Sequence, residues 1–458
     1  MIETSAPATS LPLRRRRGLL VSERKVLLAA LDVVAVAVAY VAAFNIRSAG
    51  IQQSGFFIPR SGPLITAGVW LVAARLAGAY DLRAAARVRS TLRVVGLTLT
   101  LSVAGLLVVF FAQPYRITRP TILLWAPLAA ILVTGTRVAY RRTLTSHRLA
   151  QQIALVATPE VQAIWPEIRT QCNNLYHLRH IIDPAKPTAA ERLDALVDSG
   201  SINEIVLGTR DDTSRELFAA LLRCYDSGIT VRSLADLYEE CTGRLLLDQL
   251  GHSWLISLPM RSETSRLYSA SKRAVDVGAA LVGLVILGAV LAPAAALIKL
   301  EDRGPVFHRQ ERVGKYGRVF QLTKLRTMTH VPSGDTQWTE RRDPRVTRVG
   351  RVLRKLHLDE LPQMWSIVRG EMSLIGPRPE QPQYVETLQR DIDFYRTRLT
   401  VRPGLTGWAQ VNYGYGAGVD GARVKLSYDL FYIKRQSVSL DLLIAARTVM
   451  AVLALGGR

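Results

Sequence analysis

The adjacent carboxylates of Asp359 and Glu360 are the side chains in this sequence that are best suited to catalysis. Apolar residues recur at helical spacing over 361–368, and Pro362 is tolerated only in the first turn of a helix, so we predict that the pair opens a helix. Side chains of neighbouring helical residues point about 100° apart. One carboxylate could therefore attack phosphorus while the other holds a cation. In the alternative interpretation, Asp359 caps the helix and Glu360 complements its dipole.

Four basic side chains could surround the two carboxylates. Lys324 and Arg326 alternate in a predicted strand, which aims both at one face. The segment Gly376–Glu380 predicts a rigid turn that presents Arg378, and Arg354 lies shortly before the carboxylates. Each cation taken singly could be a solvated surface group. Together they predict a phosphate cage, because arginine offers two-pronged hydrogen bonding to phosphoryl oxygens.

The charge balance points to anionic partners. The chain has 59 Lys and Arg against 37 Asp and Glu, a formal net charge of +22, and residues 272–458 hold 29 of these cations against 17 carboxylates. Nucleic acid is not expected as a partner, because the cations are not interleaved with aromatic stacking platforms. The segment Arg402–Asn412 could contact a base or a sugar, or could form a plain structural turn.

The apolar residues near the N-terminus predict four transmembrane helices. Each run is about 18 to 21 residues long, the length needed to cross roughly 30 Å of hydrocarbon. The runs are Val26–Asn45, Pro63–Tyr80, Leu92–Ala112 and Pro120–Tyr140. We therefore expect a basic cytoplasmic tail (1–25) and a four-helix transmembrane domain (26–140).

The basic residues outside these runs predict which side of the membrane each segment occupies. The tail, the 81–93 loop and the 141–150 segment carry thirteen Lys and Arg, whereas the other two loops carry four. The positive-inside rule then places the tail and everything after about residue 141 in the cytoplasm. Asp32 and Arg75 lie within the predicted spans, and we expect structural roles for both.

Residues 150–250 predict a small cytoplasmic α/β module with a parallel sheet. Its short apolar strands are 153–157, 178–182, 204–207 and 230–233. The turn after the first strand, Ala157–Glu160, lacks the glycines of a dinucleotide-binding motif, so we predict a degenerate Rossmann-like module that spaces, pairs or regulates. A linker is expected at 251–271. The three cysteines, Cys172, Cys224 and Cys241, predict no disulfide framework and favour a reducing compartment.

A fifth apolar run, 277–298, predicts a re-entrant helix. It is long enough to cross, but both flanks are basic, so a crossing would place one basic flank outside. Pro293 also lies within the run and favours a kink. We expect the helix to enter the inner leaflet, turn near Ala292 and Pro293, and return. An ordinary fifth span is the alternative.

The ordered motifs between Lys272 and the C-terminus closely resemble the bacterial sugar transferase family. They comprise Lys272, Arg273 and Asp276 before the apolar run, the segment Gly304–Met328, the sequence LDELPQ at 358–363, Gly376–Glu380 and Pro403–Gln410. This family contains the monotopic polyprenyl-phosphate phosphoglycosyl transferases that start capsule, exopolysaccharide and O-antigen synthesis. The four spans and the Rossmann-like module resemble its large subclass.

The resemblance implies a role for each site residue. Asp359 would be the nucleophile and Glu360 a Mg²⁺ ligand, with Arg354, Lys324, Arg326 and Arg378 placed around the phosphates. It also implies a catalytic α/β domain at 272–458 that carries the re-entrant helix. The family often has Ser before the helix-breaking Pro, whereas this chain has Ala292 before Pro293. The turn is therefore expected to be held without a serine hydroxyl.

The predicted reaction has two steps. The Asp359 carboxylate would attack the β-phosphorus of a UDP-sugar and release UMP, after which undecaprenyl phosphate would take the sugar phosphate from the aspartate. We expect a homodimer in the bacterial inner membrane with its catalytic domain in the cytoplasm. Two alternatives are a membrane glycosyltransferase that releases UDP and a non-catalytic scaffold of polysaccharide assembly.

Overall fold

The computed structural model describes residues 21–49, 61–80, 88–113, 118–144, 151–172, 175–208, 214–247, 266–329, 345–414, 416 and 418–453. Most of the predicted tail and of the linker lie outside the described residues, as do most of the 81–93 and 141–150 segments. The chain divides into two compact units, Met1–Thr242 and Gly243–Arg458.

The first unit begins with four helices that pack in a ring, each against the next and the last against the first. They are α1 (Val21–Ala49), α2 (Ser61–Leu76), α3 (Val88–Ala112) and α4 (Arg119–Leu144). Alanines line much of the shared core and allow close approach of the backbones. Trp70 and Trp125 fill its centre edge to face, with ring centroids 6.2 Å apart.

Within the part of the chain that the structure describes, four helices are long and apolar enough to cross a membrane: Glu23–Ser48, Thr91–Ala112, Arg119–Tyr140 and Arg266–Glu301. Three of them are predicted spans. The predicted second span is shorter than expected, because α2 ends at Leu76 and the chain turns at Gly78, whose φ is +68°. Its 16 residues extend only about 24 Å.

A buried ion pair joins these helices. Arg137 Nη2 on α4 lies 2.5 Å from Asp32 Oδ2 on α1, and Arg137 Nη1 donates to the carbonyl oxygen of Ala79 at 2.8 Å. Trp70 Nε1 on α2 lies 3.5 Å from the same Asp32 oxygen. The contacts agree with the structural role predicted for Asp32, although its partner was not predicted.

The α/β module follows in the same unit as a four-stranded parallel sheet of order β2-β1-β3-β4. The strands are β1 (Gln151–Val156), β2 (Tyr176–Ile182), β3 (Glu204–Leu207) and β4 (Thr230–Ser233). The helices are α5 (Pro159–Gln162), α6 (Trp165–Gln171), α7 (Ala189–Ser199), α8 (Arg215–Asp226) and α9 (Leu234–Thr242). The predicted parallel α/β architecture is confirmed in this part of the chain.

The cysteines of the module differ from the expectation. Cys172 and Cys241 form a disulfide with Cα atoms 5.2 Å apart, and Cys224 is free and buried. The two bonded residues are 69 positions apart in sequence and meet because α6 and α9 pack together. Sequence spacing alone gave no sign of this packing.

The second unit combines one long helix, α10 (Arg266–Asp302), with short strands and helices. The strands are β5 (Phe307–Val313), β6 (Val319–Leu325), β7 (Ser373–Ile375) and β8 (Gly404–Thr406). The helices are α11 (Arg348–Lys355), α12 (Gln363–Arg369), α13 (Pro382–Asp391), α14 (Trp408–Asn412), α15 (Gly418–Lys434) and α16 (Val438–Leu453). Strands β5 and β6 pair antiparallel, and β7 and β8 pair parallel.

Helix α10 runs without interruption through Ala292 and Pro293, where the sequence predicted the chain to turn. A proline removes one helical hydrogen bond, and its φ suits a helix, so it can kink a helix without ending it. Near the start of α10, Asp276 Oδ1 accepts bonds from Ser373 Oγ and Leu374 N at 3.1 and 3.0 Å. At its other end, Glu301 accepts from the first backbone N–H groups of α11 at 2.6 and 3.1 Å.

The Asp32–Arg137 pair generates a prediction about the helical domain. The substitution Asp32→Leu leaves Arg137 buried without its carboxylate, so we expect the domain to lose about 3 kcal/mol or more of unfolding free energy. The double substitution Asp32→Leu with Arg137→Met removes both charges and should recover much of that loss. Unfolding midpoints of the detergent-solubilised protein measure both. Equal instability of the single and double variants would contradict the ion-pair role.

Candidate active site

Asp359 and Glu360 lie in a short 3-10 turn, Leu358–Glu360, between α11 and α12. The prediction that they open the helix was wrong, because α12 begins at Gln363 and its N-cap position is Pro362. The alternative capping role for Asp359 is likewise not seen. The preceding residue His357 has φ +55°, a left-handed conformation that side chains other than glycine adopt infrequently. This bend separates the carboxylates from α11, and Leu361 and Pro362 separate them from α12.

Glu360 is held by two of the predicted cations. Lys324 Nζ, near the end of β6, lies 2.8 Å from Glu360 Oε1. Arg378 Nη2, in the turn after β7, lies 3.7 Å from the same oxygen. Lys324 and Glu360 are less than a quarter exposed, whereas the Arg378 side chain is 50% exposed. Arg378 therefore retains an open side on which an anionic ligand could bind.

The two carboxylates differ in their pKa values. Burial by itself would raise the pKa of Glu360, but Lys324 and Arg378 lower it to about 2. Burial and the negative charge of Glu360 raise the pKa of Asp359, although Lys324, Arg354 and His357 oppose that shift. Glu360 is thus ionised at neutral pH, whereas the ionisation of Asp359 depends on its burial and on the charges around it.

The remaining two predicted cations have different surroundings. Arg354, on α11, donates from Nε to Thr327 Oγ1 at 2.8 Å, and its charge acts on Asp359. Arg326 is buried, and its guanidinium packs against Gly304, where an added Cβ would overlap it. The structure therefore brings Lys324, Arg378 and Arg354 around the carboxylates. A phosphate contact from Arg326 stays a prediction.

The segment Arg402–Asn412 is largely structural. Trp408 is 4% exposed, stacks on Phe431 with ring centroids 5.9 Å apart, and donates from Nε1 to the Gly243 carbonyl at 2.7 Å. Its indole is thus part of the core of the second unit. The burial of Trp408 therefore favours the structural turn over a contact with a base or a sugar.

Two residues of the site were missed by the sequence analysis. Thr327 orients Arg354, and His357 adds a positive influence on both carboxylates. His357 lies two residues before Asp359, a proximity that could have identified it. Thr327 had no such signal, because its partner on α11 is 27 positions away.

A comparison with known families fits this arrangement. The family model described as "Bacterial sugar transferase" matches residues 267–455, the part of the chain that contains the carboxylates and their cations. An Exopolysaccharide production protein of Sinorhizobium fredii is 37% identical over 198 residues, which cover 40% of this chain and 85% of that relative. The chain belongs to the bacterial sugar transferase family.

Longer relatives extend the similarity within this family. The UDP-N-acetylgalactosamine-undecaprenyl-phosphate N-acetylgalactosaminephosphotransferase of Aeromonas hydrophila is 42% identical over 244 residues, or 53% of this chain and 57% of the relative. The undecaprenyl-phosphate glucose phosphotransferase of Komagataeibacter xylinus is 33% identical over 340 residues, or 69% of this chain and 61% of the relative. The chain thus spans somewhat more than half the length of these two relatives.

A metal in this site would need ligands from outside the protein. Among the residues described by the structure, no group of three or more His, Cys, Asp or Glu is placed to hold a metal ion. Mg²⁺ usually takes only one or two protein carboxylates and completes its shell with phosphate oxygens and water. The ionised Glu360 beside Asp359 fits that pattern.

The electrostatics of the site predict the pH dependence of a reaction that needs the Asp359 anion. Lys324 lowers the pKa of Asp359, so Lys324→Met should raise it. Activity is lost as Asp359 becomes protonated, and this loss should therefore begin at a higher pH in the variant. We also expect a fall in kcat of roughly 100-fold, typical of a lost electrostatic contact.

The pH profile of kcat/KM measures this shift. Lys315→Met is the matched control, since Lys315 stacks on Tyr316 in the β5–β6 connection and should leave the profile unchanged. An acid limb at the wild-type pH in Lys324→Met would show that Lys324 does not tune Asp359.

Proposed function

We propose that this protein transfers a sugar 1-phosphate from a UDP-sugar to undecaprenyl phosphate and releases UMP. The observation that carries the proposal is the pairing of a permanent anion, Glu360, clamped by Lys324 and Arg378, with a buried neighbouring carboxylate, Asp359. The relatives named above as undecaprenyl-phosphate phosphotransferases support the choice of acceptor. An exopolysaccharide production protein among the relatives supports a role in exopolysaccharide synthesis.

In the first half-reaction, an Asp359 carboxylate oxygen attacks the β-phosphorus of the UDP-sugar. A bond forms between that oxygen and phosphorus, and the bond from the β-phosphorus to the bridging oxygen breaks, so UMP leaves with both electrons of that bond. Arg378 and Arg354 are suited to bind the phosphoryl oxygens, because guanidinium groups donate in pairs. The nearby cations also favour the ionised nucleophile.

In the second half-reaction, a phosphate oxygen of undecaprenyl phosphate attacks the same phosphorus. The phosphorus–aspartate bond breaks, which restores the Asp359 carboxylate and yields a lipid diphosphate sugar. A covalent carboxylate intermediate suits two anionic substrates, because they never need to occupy the pocket together. The same cations serve both halves of the reaction.

Mg²⁺ is the cofactor we propose for this site. Glu360 would hold it, with substrate phosphate oxygens as further ligands, and the ion would supply charge neutralisation to the transferred phosphoryl group. The low pKa of Glu360 keeps its oxygens ionised over the whole physiological pH range. Lys324 orients this carboxylate by its hydrogen bond of 2.8 Å.

Helix α10 is proposed to enter the membrane and return on the same side. Supporting this, Asp276 and Glu301 lie at opposite ends of the apolar stretch, and both bond to the same folded unit. A straight crossing would separate them by roughly 37 Å. Between them, Val282 and Val285 are 60% and 76% exposed, as expected of lipid contacts. The kink would form at Pro293, without the serine that often precedes it.

The proposed location is the bacterial inner membrane, with the second unit in the cytoplasm and the protein as a homodimer. The basic segments assigned to the inner face support this orientation. This orientation would hold Asp359 and Glu360 at the membrane depth of the undecaprenyl phosphate group. One relative is named for N-acetylgalactosamine and another for glucose, so both are candidate sugars.

The released nucleotide tests the proposed function. The full-length protein in nanodiscs is incubated with Mg²⁺, undecaprenyl phosphate and either UDP-glucose or UDP-N-acetylgalactosamine. We expect multiple turnovers of UMP from the accepted donor, and at most one UMP per active site when undecaprenyl phosphate is omitted. Release of UDP would indicate a glycosyltransferase, and no nucleotide from any UDP-sugar would favour the scaffold; either result contradicts the proposal.

A further inference from the structure

The turn Gly376–Glu380, which presents Arg378, is fixed through its backbone carbonyl groups. Four consecutive carbonyl oxygens each accept a hydrogen bond from a donor elsewhere in the second unit. The bonds are Gly404 N to Pro377 O (2.9 Å), Arg398 Nη2 to Arg378 O (3.0 Å), Arg312 Nη1 to Pro379 O (3.0 Å) and Val313 N to Glu380 O (2.9 Å). Two of the four donors are arginine side chains.

The sequence of the turn explains why outside donors matter. Pro377 and Pro379 flank Arg378 and have no N–H, so the turn has fewer donors with which to bond to itself. The Arg378 guanidinium is half exposed and reaches Glu360 only at 3.7 Å. The orientation of the Arg378 guanidinium is therefore set mainly by the position of its own backbone.

Arg398, in the 3-10 turn Tyr395–Thr400, is the most strongly held of these donors. Its side chain is 6% exposed, and its Nη2 also contacts Asp429 Oδ2 on α15 at 2.9 Å. Its Nη1 donates to the Tyr395 hydroxyl at 2.6 Å. The planar fork of arginine can make these bonds together, whereas the single ammonium of lysine cannot reach all three partners.

We infer that Arg398, anchored by Asp429, is a positioning residue for the transfer reaction. By holding the Arg378 carbonyl, it sets the Arg378 guanidinium against Glu360 and against the phosphoryl oxygens of the donor. Arg312 likewise holds the carbonyl group of the next residue, Pro379. The kinetic part of this inference rests on the proposed function, while the placement of the turn does not.

A purely structural role for the Arg398–Asp429 pair is the competing interpretation. Buried ion pairs often serve stability alone, and their loss then lowers folding without selecting one part of the site. The two interpretations differ in whether the effect of changing Arg398 depends on Arg378. A positioning role acts through Arg378, so the effect of changing Arg398 should disappear once Arg378 has been changed.

A double-mutant cycle with full-length protein tests the coupling. We expect Arg398→Lys to lower kcat/KM about tenfold in the wild-type background and less than about twofold in an Arg378→Lys background. The matched control is Arg273→Lys, because Arg273 also donates to two backbone carbonyls, those of Ile367 and Val368 at the end of α12. Its effect should be the same in both backgrounds. An equal loss for Arg398→Lys in both backgrounds would overturn the inference.

Hydrogen–deuterium exchange provides a readout that does not depend on activity. Peptides covering 374–382 should exchange faster in Arg398→Lys than in the wild type, and at the wild-type rate in Arg273→Lys. Unchanged exchange in Arg398→Lys would overturn the inference even if activity fell. A wild type without turnover would contradict the proposed function, and the exchange comparison would then decide the placement of the turn by itself.

A milder variant keeps the test informative if Arg398→Lys does not fold. Asp429→Asn retains the shape of the anchor and a carbonyl oxygen that accepts a hydrogen bond, but removes its charge. We expect the same two effects as in Arg398→Lys, each of smaller magnitude. These are faster exchange over 374–382 and a fall in kcat/KM that depends on Arg378. Additive kinetics or unchanged exchange would count against the inference as before.

Discussion

The contact between Lys324 and Glu360 is the interaction on which the site depends. Two neighbouring carboxylates in a largely buried position repel each other and lose hydration, so they need compensating cations. Lys324 lies 2.8 Å from Glu360, and Arg378 reaches the same oxygen. With Glu360 kept ionised in this way, burial and its negative charge raise the pKa of Asp359. The pair thus becomes one fixed anion and one carboxylate whose ionisation depends on its neighbours.

The surrounding elements place these charges from separate parts of the chain. Strand β6 carries Lys324, the turn after β7 carries Arg378, and α11 carries Arg354. The left-handed backbone at His357 directs the carboxylates into the space between them. Both ends of α10 bond to the same unit, which ties any membrane insertion of this helix to the position of the site. In the proposed membrane arrangement, this one helix would link the depth of insertion to the position of the carboxylates.

The sequence predicted what depends on composition and local pattern. The strands at 204–207 and 230–233 match in full, and Lys324, Arg354 and Arg378 do converge on the carboxylates. Features set by tertiary packing were missed: the Cys172–Cys241 disulfide, the early end of α2, and the 3-10 turn that holds Asp359 before α12 begins at Gln363. The contacts of Arg398 with Arg378 and Asp429 showed no local signal, because these partners lie 20 and 31 positions away.

The mass of the intact enzyme after incubation with donor and Mg²⁺, without lipid acceptor, tests the central claim most directly. The account predicts a mass increase equal to one sugar phosphate on the wild type, located at Asp359, and none on a folded Asp359→Asn variant. Because the acceptor is absent, the covalent intermediate should accumulate. Continued release of UMP with no adduct under any donor, or full activity in Asp359→Asn, would contradict the account.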